Sequence, residues 1–250
     1  MPRANRFFLP GHVWHLTQRC HKRAFLLRFA CDRRRWCYWL LQSRLRYGLC
    51  VLNYAVTSNH VHLLVYGQGE GEIARSMQLI AGRTGQEFNQ RKARSGAFWQ
   101  DRYHATAVES GVHLARRMAY IDLNMVRAGA VNHPREWIDG GYHEVLVARR
   151  RNQITSIRTL IKLIDLGDRE ALVRHRDAWI ADSLSQGRHA RDAKWTESKA
   201  IGSAAYVRHV SDELRVRAPR SQIISADSRH RLREPSPSYG ALFCMKKRVS

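Results

Sequence analysis

The residues of this chain best spaced for chemistry are two histidines in the run Asn59-His60-Val61-His62-Leu63-Leu64-Val65. Side chains alternate along an extended strand, so both imidazoles project from one face while Val61, Leu63 and Val65 turn to the other. Imidazole nitrogens ligate divalent metals. A rigid strand presents this pair ready to share one cation, provided a third group approaches from elsewhere. The same spacing suits two histidines resting at a sheet surface, and the pair taken alone leaves both readings open.

A third group is available on a helix expected over 112–128, whose residues fall on distinct faces when laid out at about 3.6 per turn. Leu114, Met118, Ile121 and Met125 form an apolar stripe, while His113, Arg116, Arg117, Tyr120, Asn124 and Arg127 lie on another face. Tyr120 and Asn124, one turn apart, project together. A phenol, an amide oxygen and several guanidinium groups meeting the histidine strand would suit phosphoryl transfer. The cation would polarise a phosphate, arginines would offset its charge, and the phenolate would attack in line. Tyr120 taken singly also fits a residue that caps the core with its hydroxyl in water.

These groups need a scaffold, and the periodicity predicts one. A strand is expected over 12–20 after the Pro10-Gly11 turn, then a helix over 31–47 stopped by Gly48. Strands over 50–57 and 60–66 form a hairpin through Ser58 and Asn59, and Ile73, Met77, Ile80 and Phe88 mark a helix over 72–91. A strand over 98–109 then leads into the helix over 112–128, which Gly129 ends. The expected class is α+β, a ferredoxin-like antiparallel sheet with helices on one face plus a catalytic C-terminal helix, followed by a small helical domain. Residues 1–145 are expected to form the catalytic domain, 146–217 a helical C-terminal domain, and 218–250 a basic, flexible tail with too little periodic apolar content to fold by itself.

Composition narrows the partner. The chain carries 43 Lys+Arg against 21 Asp+Glu, a formal net charge of +22 over 250 residues. So basic a surface attracts polyanions, with nucleic acid foremost through counterion release. No run of eighteen apolar residues exists, and Pro2, Arg3, Asn5 and Arg6 do not introduce a hydrophobic stretch, so the expectation is a cytoplasmic protein without membrane insertion. Cys20, Cys31, Cys37, Cys50 and Cys244 form no C-x-x-C pair and read as free, mostly buried thiols, not a zinc ribbon.

Four blocks in fixed order extend the case. They are Pro10-Gly11-His12-Val13-Trp14-His15-Leu16-Thr17, Asn59-His60-Val61-His62-Leu63-Leu64, Phe98-Trp99-Gln100-Asp101-Arg102-Tyr103, and Tyr120-Ile121-Asp122-Leu123-Asn124-Met125-Val126-Arg127-Ala128-Gly129. Together they span roughly residues 5 to 145, and the chain resembles the REP-associated tyrosine transposases, a branch of the single-tyrosine HUH transposases. The resemblance implies an enzyme that binds single-stranded DNA near the foot of a short hairpin, in bacteria beside the nucleoid. It implies that His60, His62 and Asn124 bind Mg²⁺ or Mn²⁺ and that Tyr120 is the nucleophile. The product would be a 5′-phosphotyrosine linkage and a free 3′-hydroxyl that can later reseal a strand. Arg102, Arg116, Arg117 and Arg127 are the candidate DNA contacts, and a monomer is favoured over a dimer.

One departure is Met125, where members of that family often carry Pro; it lies on the apolar stripe and is expected to alter helix packing without touching the chemistry. A catalytically silent hairpin-binding regulator is the alternative function. A decayed enzyme would be free to lose His60, His62, Tyr120 or Asn124, and all four are present.

Overall fold

In a computed structural model that describes residues 8–69, 71–147, 151–185, 198–215, 222–226 and 229–233, the period-two segments become neighbouring strands. They are Val13–Arg19 (β1), Cys50–Val56 (β2), His60–Tyr66 (β3) and His104–Val108 (β4). They pair antiparallel in the order β2-β3-β1-β4, the ferredoxin-like arrangement. Ala30–Tyr47 (α1) and Glu72–Arg91 (α2) cover one face. Trp36, Trp39 and Leu40 from α1 and Ile73, Met77 and Ile80 from α2 pack there against Leu16, Val61, Leu63 and Val65. Gly48 ends α1 at φ 69°, a left-handed position that glycine takes without steric cost.

The strand expected over 98–109 is shorter than the alternation implies. Phe98 and Trp99 pack edge to face 4.8 Å apart, and the Trp99 indole donates to the Ala81 carbonyl on α2 at 3.0 Å. The backbone here still pairs with the end of β1, His21 donating to the Phe98 carbonyl and Gln100 to the Arg19 carbonyl at 2.8 Å each, but the ladder is interrupted over 101–103 and regular pairing begins at His104.

The opposite face is built by Val112–Asp122 (α3), whose Leu114, Met118 and Ile121 pack on Val13, Leu52, Leu64 and Val108. The helix expected over 112–128 is divided at Leu123, where ψ rises to 4°, and a short turn, Asn124–Arg127 (α4), continues it. Met125 is buried, as its place on the apolar stripe requires.

After Tyr142–Leu146 (α5) come Ile157–Ile164 (α6) and Arg169–Ser185 (α7). Leu160, Ile164 and Leu172 join the same cluster as Leu114 and Leu64. One buried network fastens this assembly. Arg176 on α7 donates through Nε and Nη2 to the two oxygens of Asp122, at 2.7 and 2.6 Å, and Asn53 on β2 donates to Asp122 at 2.9 Å. Glu144 ties the following segment down, accepting from the backbone of Ile154 and Thr155 at 3.0 and 2.7 Å.

The C-terminal region adds sheet as well as helix. Ala200–Gly202 (β5) runs parallel to β4, and Ala204–Arg215 (α8) follows it. Glu109 holds the start of α8 by accepting from the backbone and hydroxyl of Ser203, at 2.5 and 2.9 Å. Within the tail expected to be flexible, Gln222–Ala226 (β6) and Arg229–Arg233 (β7) form strands that extend the sheet in the order β4-β5-β7-β6. The reading from apolar periodicity misses them because they add to an existing edge, where Leu232 is buried. Residues 234–250, with Pro235, Pro237 and Cys244, lie outside the described residues. Among the described cysteines Cys20 and Cys50 are buried, Cys37 is half-buried and Cys31 is exposed, all as free thiols. No helix among the described residues is long and apolar enough to cross a membrane.

Candidate active site

One face of the sheet changes chemistry along its strands. Register pairs His15 with Leu64, Thr17 with His62 and Arg19 with His60, and on the other side Thr17 with His104. At the end covered by α3 the paired residues are apolar, Val13 beside Val108. Toward the other end the same face presents Thr17, Arg19, His60, His62 and His104, which line a cavity of about 560 Å³. The alternation that predicted a strand thus also gathers its polar groups.

Each histidine of the pair is held through Nδ1. His60 Nδ1 lies 2.8 Å from Asn59 Oδ1 and 2.9 Å from Thr57 Oγ1. His62 Nδ1 shares a hydrogen bond of 3.0 Å with Nε2 of His15, the rings nearly parallel at 10°. Arg117 in turn donates to Nδ1 of His15. Such engagement of one ring nitrogen fixes each ring and leaves its other nitrogen facing the cavity. Burial, then the His60 ring and the guanidinium groups of Arg117, Arg127 and Arg19, push His62 well below the ordinary imidazole range. A neutral imidazole is the form that ligates a metal.

Helix α3 and the short turn α4 supply the remaining groups. Asn124 Nδ2 lies 2.6 Å from Nε2 of His62, so the carboxamide and the imidazole share one small volume. Tyr120 stands edge-on to His62 at 6.2 Å between ring centroids, and its ring carries the Arg127 guanidinium at 4.0 Å and that of Arg117 at 4.8 Å. Arg127 also donates to the Tyr120 carbonyl at 2.6 Å, which locks the guanidinium over the phenol. Two imidazole nitrogens and a carboxamide oxygen are a donor set of the kind that ligates divalent cations.

His60, His62, Tyr120 and Asn124 therefore line one cavity, with Arg102 and Arg127 on its wall. The other two arginines stand elsewhere. Arg116 is exposed and outside the cavity lining. Arg117 is 0% exposed, so its expected contact with DNA is corrected to a buried role beneath the site. Its position on α3, one residue from Met118 of the apolar stripe, turns the guanidinium inward onto His15. Reading by residue type passed over His15, Thr17, Arg19 and His104. The signal was present in the alternation of Val13–Arg19, which sets His15, Thr17 and Arg19 on a single face.

Comparison with known proteins follows this geometry. The family model described as "Transposase IS200 like" matches residues 10–124. No curated protein matches the chain. A solved structure of a REP-associated tyrosine transposase bound to a REP hairpin is similar at 18% identity and a TM-score of 0.49, over 58% of this chain and 86% of that one. A putative transposase from Deinococcus radiodurans R1 is similar at 16% identity and a TM-score of 0.34, over 43% of this chain and 87% of that one. The matched segment 10–124 holds His60, His62, Tyr120 and Asn124, so the similarity to the IS200-like transposases includes all four of these site residues.

Proposed function

We propose that the chain is a REP-associated tyrosine transposase, a metal-dependent enzyme that nicks and rejoins single-stranded DNA beside a short palindromic hairpin. The observation that carries this reading is the convergence of Tyr120, His60, His62 and Asn124 on one cavity whose wall includes Arg19, Arg23, Arg102 and Arg127. The four sequence blocks and the match to IS200-like transposases support the same reaction class.

The wall of guanidinium groups would draw a phosphate backbone into the cavity and neutralise it there. Nε2 of His60 and of His62 with the Asn124 carboxamide oxygen would hold Mg²⁺ or Mn²⁺, which supplies Lewis-acid polarisation of the scissile phosphate. The Tyr120 oxygen would attack phosphorus, forming the Tyr–O–P bond as the P–O3′ bond breaks. The phenolic proton is lost to solvent, and the departing 3′-oxygen is protonated to a hydroxyl. Arg127 stacks on the Tyr120 ring and so places a guanidinium beside the proposed nucleophile. Attack by a 3′-hydroxyl on the phosphotyrosine reverses these bond changes and seals a strand without a nucleotide cofactor.

The test mixes the full chain with Mn²⁺ and a labelled single-stranded hairpin oligonucleotide and looks for a covalent adduct on a denaturing gel. Wild type should form it, and Tyr120→Phe should bind the oligonucleotide but form none. Tight binding by wild type with no adduct would favour a catalytically silent hairpin-binding regulator. An adduct retained by Tyr120→Phe would mean that another residue is the nucleophile.

A further inference from the structure

Away from that cavity, a second set of metal-ligating side chains meets where the last helix passes the first turn of the chain. His12, His209 and Glu213 each bring one ligand atom to within 4.8 Å of the others. His209 and Glu213 are four residues apart on α8, and His209 Nε2 lies 3.4 Å from Glu213 Oε1. A tetrahedral ion with bonds of about 2.1 Å separates its ligand atoms by about 3.4 Å, so this pair already stands at ligand spacing. The His12 and His209 rings are nearly parallel, 21° apart, with centroids at 5.9 Å.

A second observation concerns His12 itself. Its Nδ1 lies 3.0 Å from the Pro10 carbonyl, a contact in which the ring N–H donates and Nε2 keeps its lone pair. Metal-bound histidines use this arrangement, with the second nitrogen fastened to a backbone carbonyl. The backbone of His12 is fixed too. Its carbonyl accepts from Gly67 at 2.9 Å, and Gly11 donates to the Gly67 carbonyl at 2.8 Å. One ligand is thus held in place before any ion arrives, and the other two share a helix whose start Glu109 secures.

We propose that His12, His209 and Glu213 form a second metal site, taking a divalent transition ion with zinc favoured. Two imidazoles, one carboxylate and a water complete a four-coordinate zinc shell. The ion would clip α8 to the turn that joins the start of β1 to the end of β3. It would couple the C-terminal elements to β1 and to β3, the strand of His60 and His62, without taking part in the reaction.

The experiment uses the full chain stripped with chelator and titrated with Zn²⁺ by calorimetry, with the bound metal then counted after dialysis. His60→Ala disables the other histidine pair and serves as the background. In that background one Zn²⁺ should bind and raise the melting temperature. His209→Ala and Glu213→Gln should each weaken binding by more than the 10- to 100-fold typical of a lost outer-shell partner. Both positions are exposed, so these variants keep the fold, and an unchanged circular dichroism spectrum checks this. Replacing Zn²⁺ by Co²⁺ should give tetrahedral visible absorption that His12→Ala abolishes. Equal Zn²⁺ affinity with and without His209 would overturn the proposal, and so would the absence of any Zn²⁺ bound in the His60→Ala background. Either result would reduce the pair on α8 to an ordinary contact between neighbouring side chains of one helix.

Discussion

Arg176 and Asp122, 54 positions apart, meet through two charge-assisted hydrogen bonds of 2.7 and 2.6 Å with both side chains 1% exposed. Asp122 sits between Tyr120 and Asn124, at the point where α3 gives way to α4. The clamp therefore sets where the helix end carrying the proposed nucleophile and the proposed ligand stands relative to the sheet.

Removing one partner of a buried pair leaves the other charge without compensation. Arg176→Ala should destabilise the fold by about 3–5 kcal/mol. Urea unfolding reads the loss. Because the segment moved holds Tyr120, adduct formation should also slow under conditions where the variant remains folded. A variant as stable as wild type would show that Asp122 finds another partner.

His15 is the residue behind the histidine pair. His15→Ala should weaken Mn²⁺ binding by about 10- to 100-fold, because Nδ1 of His62 loses the group that orients its ring. His15→Gln should restore part of the affinity, since a carboxamide can accept from Arg117 and still bond to His62. Electron paramagnetic resonance of Mn²⁺ measures both. Unaltered binding by His15→Ala would remove His15 from the positioning role.

For stability against pH, the sign follows from the depressed His62. Above the unfolded imidazole value of about 6.5 both states are neutral, and the stability of the buried ring is fully present. Below it the unfolded chain takes a proton that the folded site resists, and the metal-free protein loses up to about 1.4 kcal/mol per pH unit from this group. Urea midpoints at pH 7.5 and 5.5 should show a smaller drop for His62→Gln than for wild type. Equal drops would assign the acid sensitivity to other groups.

Arg102 and Arg116 separate cavity from surface. Arg102→Ala should weaken binding of a single-stranded hairpin and reduce the slope of log K against log salt by about one. Arg116→Ala, outside the cavity lining, should leave that slope nearly unchanged. Fluorescence anisotropy across a salt series compares the two, and an equal effect of both would move the DNA path away from the cavity.

Much of the scaffold was legible because its signals are local. The alternation around His60 and His62, the apolar stripe of α1 with Gly48 behind it, and the shared face of Tyr120 and Asn124 each lie within a few turns or one strand. What could not be read joins distant positions. Arg117 and His15 are 102 positions apart, and a buried arginine looks in sequence like any exposed one. Phe98 and Trp99 read as strand because aromatic residues favour strands, and they do bridge to Cys20, but the interruption over 101–103 leaves no local signal. Strand β7 carries a single apolar residue, Leu232, and β6 has two adjacent isoleucines without alternation, so neither registers by period; their hydrogen bonds come from each other and from the edge of β5.

The flanks of the four central strands are both covered. Along β2, Val51 and Ala55 bridge to Thr155 and Gly140, and Ser156 donates to the Val51 carbonyl at 2.6 Å. Along β4, Ala107 and Glu109 donate to Lys199 and Ile201 of the chain's own C-terminal region, at 2.7 and 3.1 Å. Backbone groups occupied in this way offer no template for strand addition by another molecule. The C-terminal segment thus doubles as a guard against self-association: a chain ending at residue 185 would bare the amides of Ala107 and Glu109 and turn the edge of the catalytic sheet into a place where copies stick together.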